Sequence, residues 1–496
     1  MASLLSYDRL RVHAAFCVAF AVGIPAFFYL AHQEINHDTG WFMYAARGLL
    51  AGGQLYKDFV DVNAPMAYYS VMLAAWLSNF SFLTNETALT INIFIYIFIA
   101  YALCATLLKR MGFSPGTYAV LCAAFLIVLC LIPNYGFGQR EHIFGVLLVP
   151  YALAAGLRTD GKNLPRNLAI ACGIAAGFGA SIKPQYILVP AFIELAVLTR
   201  AQWKIRLTAD LVALGATLAV IYALSIVCYP EYWTTIVPQA AALYGPYDNF
   251  WFLSDALLVL VPLFVVGFGA GEYRGRGPLI GARWMMVAAT LGTFVLFVVQ
   301  RKGWPHHAVP IMIVMSCLFL LNLGDIARQA AQNRTAATIR GGISVVVLAA
   351  SFYLAWISGN VNPEMMANVK DRLRDTDGSY YIFSTGNYPA FPIGLDRRYT
   401  WTSRFPQLIL LPGLADLDLH GETSTWEPWF RQAVLDDIQK GKPSSIFIYN
   451  YQDAGMPENY GMLKWFMRDP AFADEWKHYR LKETVDAFTL YVRDRK

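Results

Sequence analysis

Three aspartates, Asp38, Asp58 and Asp61, fall within the stretch INHDTGWFMYAARGLLAGGQLYKDFVDVNAP, between two apolar regions. A carboxylate just above a bilayer, beside Trp41 and Tyr44, can take a proton from an incoming hydroxyl. Asp38 is the first candidate for that work and Asp61 the second. The competing reading makes Asp38 the cap of a helix beginning near Thr39 and leaves Asp58 and Asp61 as solvated loop acids. The loop reading is preferred for Asp58. The functional one is preferred for Asp38, because His37-Asp38-Thr39-Gly40 opens an amphipathic stretch that ends at Gly52-Gly53, before a loop carrying Tyr56 and Asn63.

A second constellation is cationic. Arg140, Lys183, Arg301 and Lys302, with the pair His306/His307, stand at the ends of apolar stretches. Arginine and lysine at a membrane surface suit a phosphate or diphosphate whose hydrocarbon tail lies in lipid. For any one of them alone, snorkelling to lipid headgroups explains the position equally well. Glu141-His142 follows Gln139-Arg140 directly, so Glu141 is either a substrate-facing acid or half of an ion pair fixing a helix start. Adjacent histidines on a helix point about 100° apart and do not chelate from one face. No metal is therefore expected, although a divalent ion held with Asp38 stays open. The aromatic segment from Tyr229 to Trp251 suits the C–H faces of a sugar, or an interfacial belt without ligand.

What must position these residues is a membrane bundle. Of 496 residues, 57% are hydrophobic and 15% charged, with a mean hydropathy of +0.41, which excludes an ordinary soluble domain. Apolar stretches long enough to span, some with help from flanking residues, run at 12–31, 87–108, 114–133, 141–157, 167–181, 185–199, 207–228, 252–271, 280–299, 305–322 and 340–358, giving about eleven helices. With Pro65 to Phe82 as an interfacial helix, about sixteen basic residues of the connections collect on one side against about six on the other, the asymmetry expected of a cytoplasmic face. The net charge of +5 thus reports topology rather than a nucleic-acid partner. The first loop (32–86), the Arg140, Lys183 and Arg301–His307 segments, and everything after Trp356 then face the non-cytoplasmic side. The first apolar stretch reads as an uncleaved helix.

After about Asn360 the composition changes. Strand-like runs (Tyr380 to Ser384, Ser445 to Asn450, Thr489 to Val492) alternate with helical ones (Trp426 to Lys440, Tyr460 to Trp476), the pattern of a small α/β domain outside the membrane. The expected fold is thus a polytopic α-helical membrane protein, residues 1–358, followed by an extracytoplasmic α/β domain, residues 359–496. The seven cysteines lie in or at the ends of apolar spans without a CxxC pair, so neither a disulfide framework nor a zinc site is implied.

The first loop, with His37, Asp38, Gly40, Ala45, Leu49, Leu50, Gly52, Gly53, Tyr56 and Asp58 followed by Asn63-Ala64-Pro65, resembles the first external loop of GT-C superfamily glycosyltransferases. That group includes protein mannosyltransferases and aminoarabinose lipid A transferases. The resemblance extends to Gln139-Arg140-Glu141-His142, to Gln300 through Pro310, and to Ser403-Arg404-Phe405-Pro406. It implies a bundle of about this helix count with interfacial helices in the first loop, and a sugar delivered by a polyprenyl-phosphate donor at the outer leaflet. Asp38 becomes the best catalytic residue, and Arg301 and Lys302, then Arg140 and Lys183, would hold the phosphate. The chain departs from the family in carrying Asn63-Ala64-Pro65 where a tandem proline is common. Asp58 and Asp61 are also spaced too widely to copy a DxD motif, which favours a metal-independent reaction.

The expected function is inverting transfer of a sugar from that lipid to an envelope acceptor, whether lipid A or core, a polysaccharide or a protein, in a bacterial inner membrane. His37, Tyr56, Asp58, Asn63, Glu141, His142, His306, His307 and Arg404 are the further substrate-binding candidates, and no cofactor is expected. The alternatives are a flippase or transporter of a lipid-linked sugar, and a scaffold without activity. A flippase would place ionisable groups near mid-membrane on broken, repeated helices, whereas here the charges gather at one rim.

Overall fold

The computed structural model describes residues 2–248, 279–329, 334–357 and 362–494. The span expected at 252–271, the end of the aromatic segment at Asn249-Phe250-Trp251, and Arg274 and Arg276 lie outside the described residues. The chain divides into two compact units.

The first unit comprises Met1–Glu34, Phe80–Leu224 and Phe250–Asn360. Its long helices are Ala2–Leu30, Asn85–Arg110, Pro115–Leu131, Arg140–Thr159, Arg166–Ser181, Leu188–Arg200, Ile280–Gln300, Val309–Gln329 and Arg334–Ile357, and most of Ala209–Cys228 belongs to it as well. Local chemistry sets several of their starts. The Thr84 side chain accepts from Thr87 N, and the Ser114 side chain accepts from Thr117 N ahead of Pro115 at the first helical position, which satisfies amide donors that a helix start leaves open. Six helices among the described residues are long and apolar enough to cross a membrane by length and composition. The chain is a multi-pass membrane protein.

Helix Arg140–Thr159 is buried on every side from Arg140 to Leu157, as expected of a helix enclosed by others. It approaches helix Ile280–Gln300 closely at one end: a Cβ on Gly156 would stand 2.3 Å from Ala282 Cα. Only glycine admits that contact, and small residues are how helices in lipid approach one another.

The second unit gathers Ile35–Asn79, Ser225–Asn249 and Val361–Lys496. Its sheet contains β1 (Ser379–Phe383), β2 (Thr400–Trp401), β3 (Ser445–Tyr449), β4 (Tyr479–Val485) and β5 (Phe488–Arg493), in the order β2-β1-β3-β5-β4. Strand β1 is parallel to both β2 and β3, whereas β5 is antiparallel to β3 and β4. Tyr380, Tyr381, Ile382 and Phe383 are all buried, the apolar run of a parallel strand covered on both faces.

Helices Pro363–Arg374, Leu411–Leu419 and Glu427–Gly441 belong to the same unit. The helical run expected from Tyr460 to Trp476 is broken into Met462–Phe466 and Pro470–Trp476, because Pro470 cannot continue a helix and the Asp469 side chain caps the second piece. The single interfacial helix expected over Pro65 to Phe82 is two short ones, Pro65–Tyr69 and Met72–Leu77, neither long enough to cross a bilayer.

Candidate functional site

In the second unit, the first loop enters helix His37–Leu50 through Asn36, whose side chain accepts from Asp38 N at 3.0 Å. Asn36, not Asp38, is therefore the cap, and this overturns the capping reading of Asp38. The Asp38 carboxylate sits in the first helical turn, where the helix dipole favours a negative charge, and its Oδ1 accepts from Asn387 Nδ2 at 2.7 Å. His37 Nε2 lies 3.8 Å from the same oxygen, and the Asp38 side chain is 17% exposed. Asp38 is thus a half-sheltered carboxylate steered by an amide from the turn after β1.

Asp61 has a different environment. It is 3% exposed, and its Oδ2 accepts from Trp41 Nε1 at 3.0 Å, Asn63 Nδ2 at 2.5 Å and Tyr68 O–H at 3.3 Å, while Oδ1 accepts from Val62 N at 2.7 Å. A buried carboxylate with four donors folds the loop around itself. The indole of Trp41 therefore serves Asp61. Tyr44 donates to Trp401 O at 3.3 Å, and burial pushes its hydroxyl up to about 12. Tyr56, raised well above the usual phenol range by burial, donates to Asn63 O at 2.7 Å. Both phenols remain donors. Asp58 accepts from Gln54 N at 2.8 Å in an exposed turn, as the loop reading expects. Arg404 directs its N and Nε to Asp437 at 2.8 Å each, and its carbonyl accepts from Val60 N at 2.7 Å, so it ties the first loop to the C-terminal segment.

In the first unit, four chain segments bring Glu141, Lys183, Gln300 and His307 together. Glu141 opens helix Arg140–Thr159, Gln300 closes helix Ile280–Gln300, Lys183 precedes the 3-10 turn Pro184–Ile187, and His307 sits in the 3-10 turn Pro305–Ala308. Lys183 Nζ donates to Gln300 Oε1, and it lies 3.4 Å from Glu141 Oε1 and 3.4 Å from His307 Nε2. Arg140 Nε is 4.0 Å from Glu141 Oε2. Glu141 is wholly buried, and Arg140, Gln300, Lys302 and His307 are buried too.

Glu141, His306 and His307 each bring one ligand atom to within 4.8 Å of the others. The divergence expected of adjacent histidines assumed an α-helix, but in the 3-10 turn both rings, 4.6 Å apart at their centroids, reach the same carboxylate. The residues still fit a divalent ion poorly, because the Lys183 ammonium already stands within 3.4 Å of two of the three would-be ligands. Three polar atoms around one ammonium are the match its three protons need. Arg301, exposed and in the left-handed region at φ 54°, turns the chain at the helix end.

No protein-family model matches the chain, and no curated protein sequence matches it. Among solved structures it is similar to ArnT from Cupriavidus metallidurans bound to undecaprenyl phosphate, with 14% identity, 98% of each chain covered and a TM-score of 0.52. The same ArnT in the apo state gives 14% identity, 99% of this chain, 98% of that chain and a TM-score of 0.51. The chain has the GT-C fold.

On the GT-C fold, the candidates read from sequence separate into two groups, one in each unit. Asp38, His37, Tyr56, Asp58, Asp61, Asn63 and Arg404 lie in the second unit, and Arg140, Glu141, His142, Lys183, Arg301, Lys302, His306 and His307 in the first. His142 points away from Lys183's cradle: its Nδ1 accepts from Gly138 N at 3.1 Å, so its Nε2 donates to Leu129 O at 2.8 Å. Two participants were missed from the sequence. Gln300 stands beside the noticed Arg301 but carries no charge, and Asn387 is separated from Asp38 by 349 positions. A turn sequence Thr385-Gly386-Asn387 directly after a strand was the available signal.

Proposed function

We propose that this chain is an inverting membrane glycosyltransferase that moves a sugar from a polyprenyl-phosphate donor to an envelope acceptor at the outer face of a bacterial inner membrane. The observation that carries the reading is the likeness of fold, over 98% of both chains, to a structure that holds undecaprenyl phosphate. The gathering of Arg140 and Lys183 on Glu141 at the ends of apolar helices supports it. About eleven spans and a periplasmic C-terminal domain complete the proposal.

In this reading the acceptor oxygen attacks the anomeric carbon while the bond from that carbon to the phosphate oxygen breaks. The hydroxyl proton passes to Asp38 and the electron pair leaves with the lipid phosphate. General base catalysis by a positioned carboxylate contributes about 10²–10⁴-fold. Lys183, Arg140, Arg301 and Lys302 are assigned to the leaving phosphate, where fixed positive charge meets charge that develops in the transition state. The reaction needs no metal.

The test is transfer in vitro with the purified protein in nanodiscs, radiolabelled polyprenyl-phosphate sugars and a crude cell-envelope acceptor. Transfer from one donor, lost in Asp38→Asn and indifferent to chelator, is the expected result. Movement of intact lipid-linked sugar across liposomes without transfer would overturn the proposal in favour of a flippase.

A further inference from the structure

Strands β1 and β3 lie side by side and parallel, yet the chain leaves them in opposite directions. From the carboxyl end of β1 it passes to β2 on one side, and from that of β3 it passes to β4 and β5 on the other. Where neighbouring parallel strands do this, the outgoing loops part and leave a crevice beyond the carboxyl ends, the usual position of a ligand in an open α/β sheet.

A crevice of about 460 Å³ lies beyond the carboxyl end of β3, lined by Tyr449, Asn450, Tyr451, Gln452, Asp453 and Tyr460 among others, all from β3 and the segment that follows it. That is within the range of about 300–1,000 Å³ usual for small-molecule sites. Its walls are fastened. Asp453 Oδ2 accepts from Ser384 Oγ at 2.7 Å and from Thr385 N at 2.5 Å, which ties the loop after β3 to the loop after β1. Tyr460 donates to Asp418 Oδ2 at 2.6 Å, and Asn450 Oδ1 accepts from Thr489 Oγ1 at 2.7 Å. The ring of Tyr449 is 6.0 Å from that of Tyr451 and 5.5 Å from that of Phe488. Tyr451 is 67% exposed at the rim.

The chemistry of the lining selects the ligand class. One lining residue is a cation, Lys464, against Asp453 and Glu458, so a phosphate or nucleotide finds little to hold it. The walls are also too polar for a hydrocarbon chain. Tyrosine rings offer an apolar face with a polar edge, which suits the C–H faces of a pyranose. Amides both donate to and accept from its hydroxyls, and carboxylates accept from them. We infer that this crevice binds a carbohydrate, as the subsite for neutral sugar units of the acceptor. Asp453 of the lining is held by Ser384 and Thr385, in the loop after β1 that also carries Asn387, the partner of Asp38, so acceptor binding and the candidate base share one support. The acceptor role rests on the proposed transferase function; sugar binding in the crevice does not.

The experiment uses the full-length protein in nanodiscs and a panel of neutral di- to tetrasaccharides of glucose, galactose and mannose, with binding read by calorimetry and saturation-transfer NMR. At least one saccharide is expected to bind, with affinity roughly ten-fold weaker in Tyr451→Ala at an unchanged melting temperature, and likewise weaker in Asn450→Ala, which also loses its bond from Thr489. Failure of every saccharide to bind, or binding equal to wild type in both variants, would overturn the inference. In the transfer assay, Tyr451→Ala is expected to raise the acceptor KM with kcat retained, and an unchanged KM would overturn the acceptor role. Saccharide binding in a protein that transfers no sugar would support the crevice while removing the proposed function.

Discussion

At the scale of residues, Asp38 and Asp61 are acids of one loop with opposite circumstances. Asp38 receives the Asn387 amide while staying partly open to solvent, and Asp61 holds four donors in the interior. Asp61→Asn places an amide among groups that already donate, and the expected cost is about 1–3 kcal/mol, seen as a lower melting temperature of the purified protein. Asp38→Asn is expected to leave the melting temperature within about a degree and to cut transfer by about 10²-fold or more. If Asp38→Asn melted early and Asp61→Asn did not, the roles assigned here would be exchanged.

Lys183 permits a similar separation. Lys183→Met leaves the buried Glu141 carboxylate with Arg140 at 4.0 Å as its remaining cation, at an expected cost below the roughly 3–5 kcal/mol of a fully unpaired buried charge, and adding Glu141→Gln recovers most of it. Failure of the double variant to recover would show that Glu141 is not the partner that matters. The carboxylates were legible as residue types and the phenols as neighbours. Which acid was sheltered and which was satisfied was not, because that depends on Trp41, Tyr68 and Asn387 arriving from three directions.

At the scale of elements, most described helices of the first unit begin and end within a few residues of the apolar stretches, since lipid demands long uninterrupted runs and Ser, Thr and Pro mark several starts. Helices Ala2–Leu30 and Arg334–Ile357 start earlier than the stretches at 12 and 340, and Val309–Gln329 runs past 322, because polar residues can extend a helix beyond its apolar run. The sheet was read less well. Strand β2 has two residues and β4 is largely exposed, with Leu481 on its open side, so neither shows the apolar alternation that identifies a strand.

Helices Arg140–Thr159 and Ile280–Gln300 run antiparallel, meeting at Gly156 near one end and placing Glu141 and Gln300 at the other. Gly156→Val is therefore expected to lower thermal stability and to reduce transfer together, although it lies about 22 Å along the helix from Glu141. Retained activity in that variant would mean that the crossing does not position the cluster.

In the second unit, hydrogen bonds from Arg468 first, then from Tyr460, hold Asp418 below the usual carboxylate range. A carboxyl with a lowered folded pKa stabilises above its unfolded value of about 3.9 and loses that contribution as pH falls through the folded one. Acidification below about pH 4 is expected to loosen Tyr460, read as a change in near-ultraviolet circular dichroism that Asp418→Asn removes. The energy is small, because the pair is largely exposed.

At the scale of the molecule, the second unit is assembled from three stretches far apart in sequence. Composition marks a change in character near Asn360. It could not reveal that Ile35–Asn79 and Ser225–Asn249 pack with Val361–Lys496, because long-range pairing leaves no local pattern. The joints are specific: Arg47 NH1 donates to Leu395 O at 2.9 Å, Tyr247 donates to Thr385 O at 3.4 Å, and a Cβ on Gly413 would stand 2.3 Å from Leu243 O. A fragment covering 362–496 alone is expected to bind a hydrophobic dye and to melt less cooperatively than the same residues in the intact protein, because Trp401, Phe391 and Leu395 would lose their cover. A fragment with a sharp, dye-free transition would show that the first two stretches are passengers.

The same joints carry a consequence for biogenesis. Asn387 is synthesised 349 residues after Asp38, which at about 5–20 residues per second is roughly 20–70 s of translation. Throughout that interval the first loop has emerged without its β-sheet support, so the second unit closes only when nearly the whole chain has been made. A ribosome that stops before Asn387 leaves a membrane bundle whose candidate base lacks the amide that steers it.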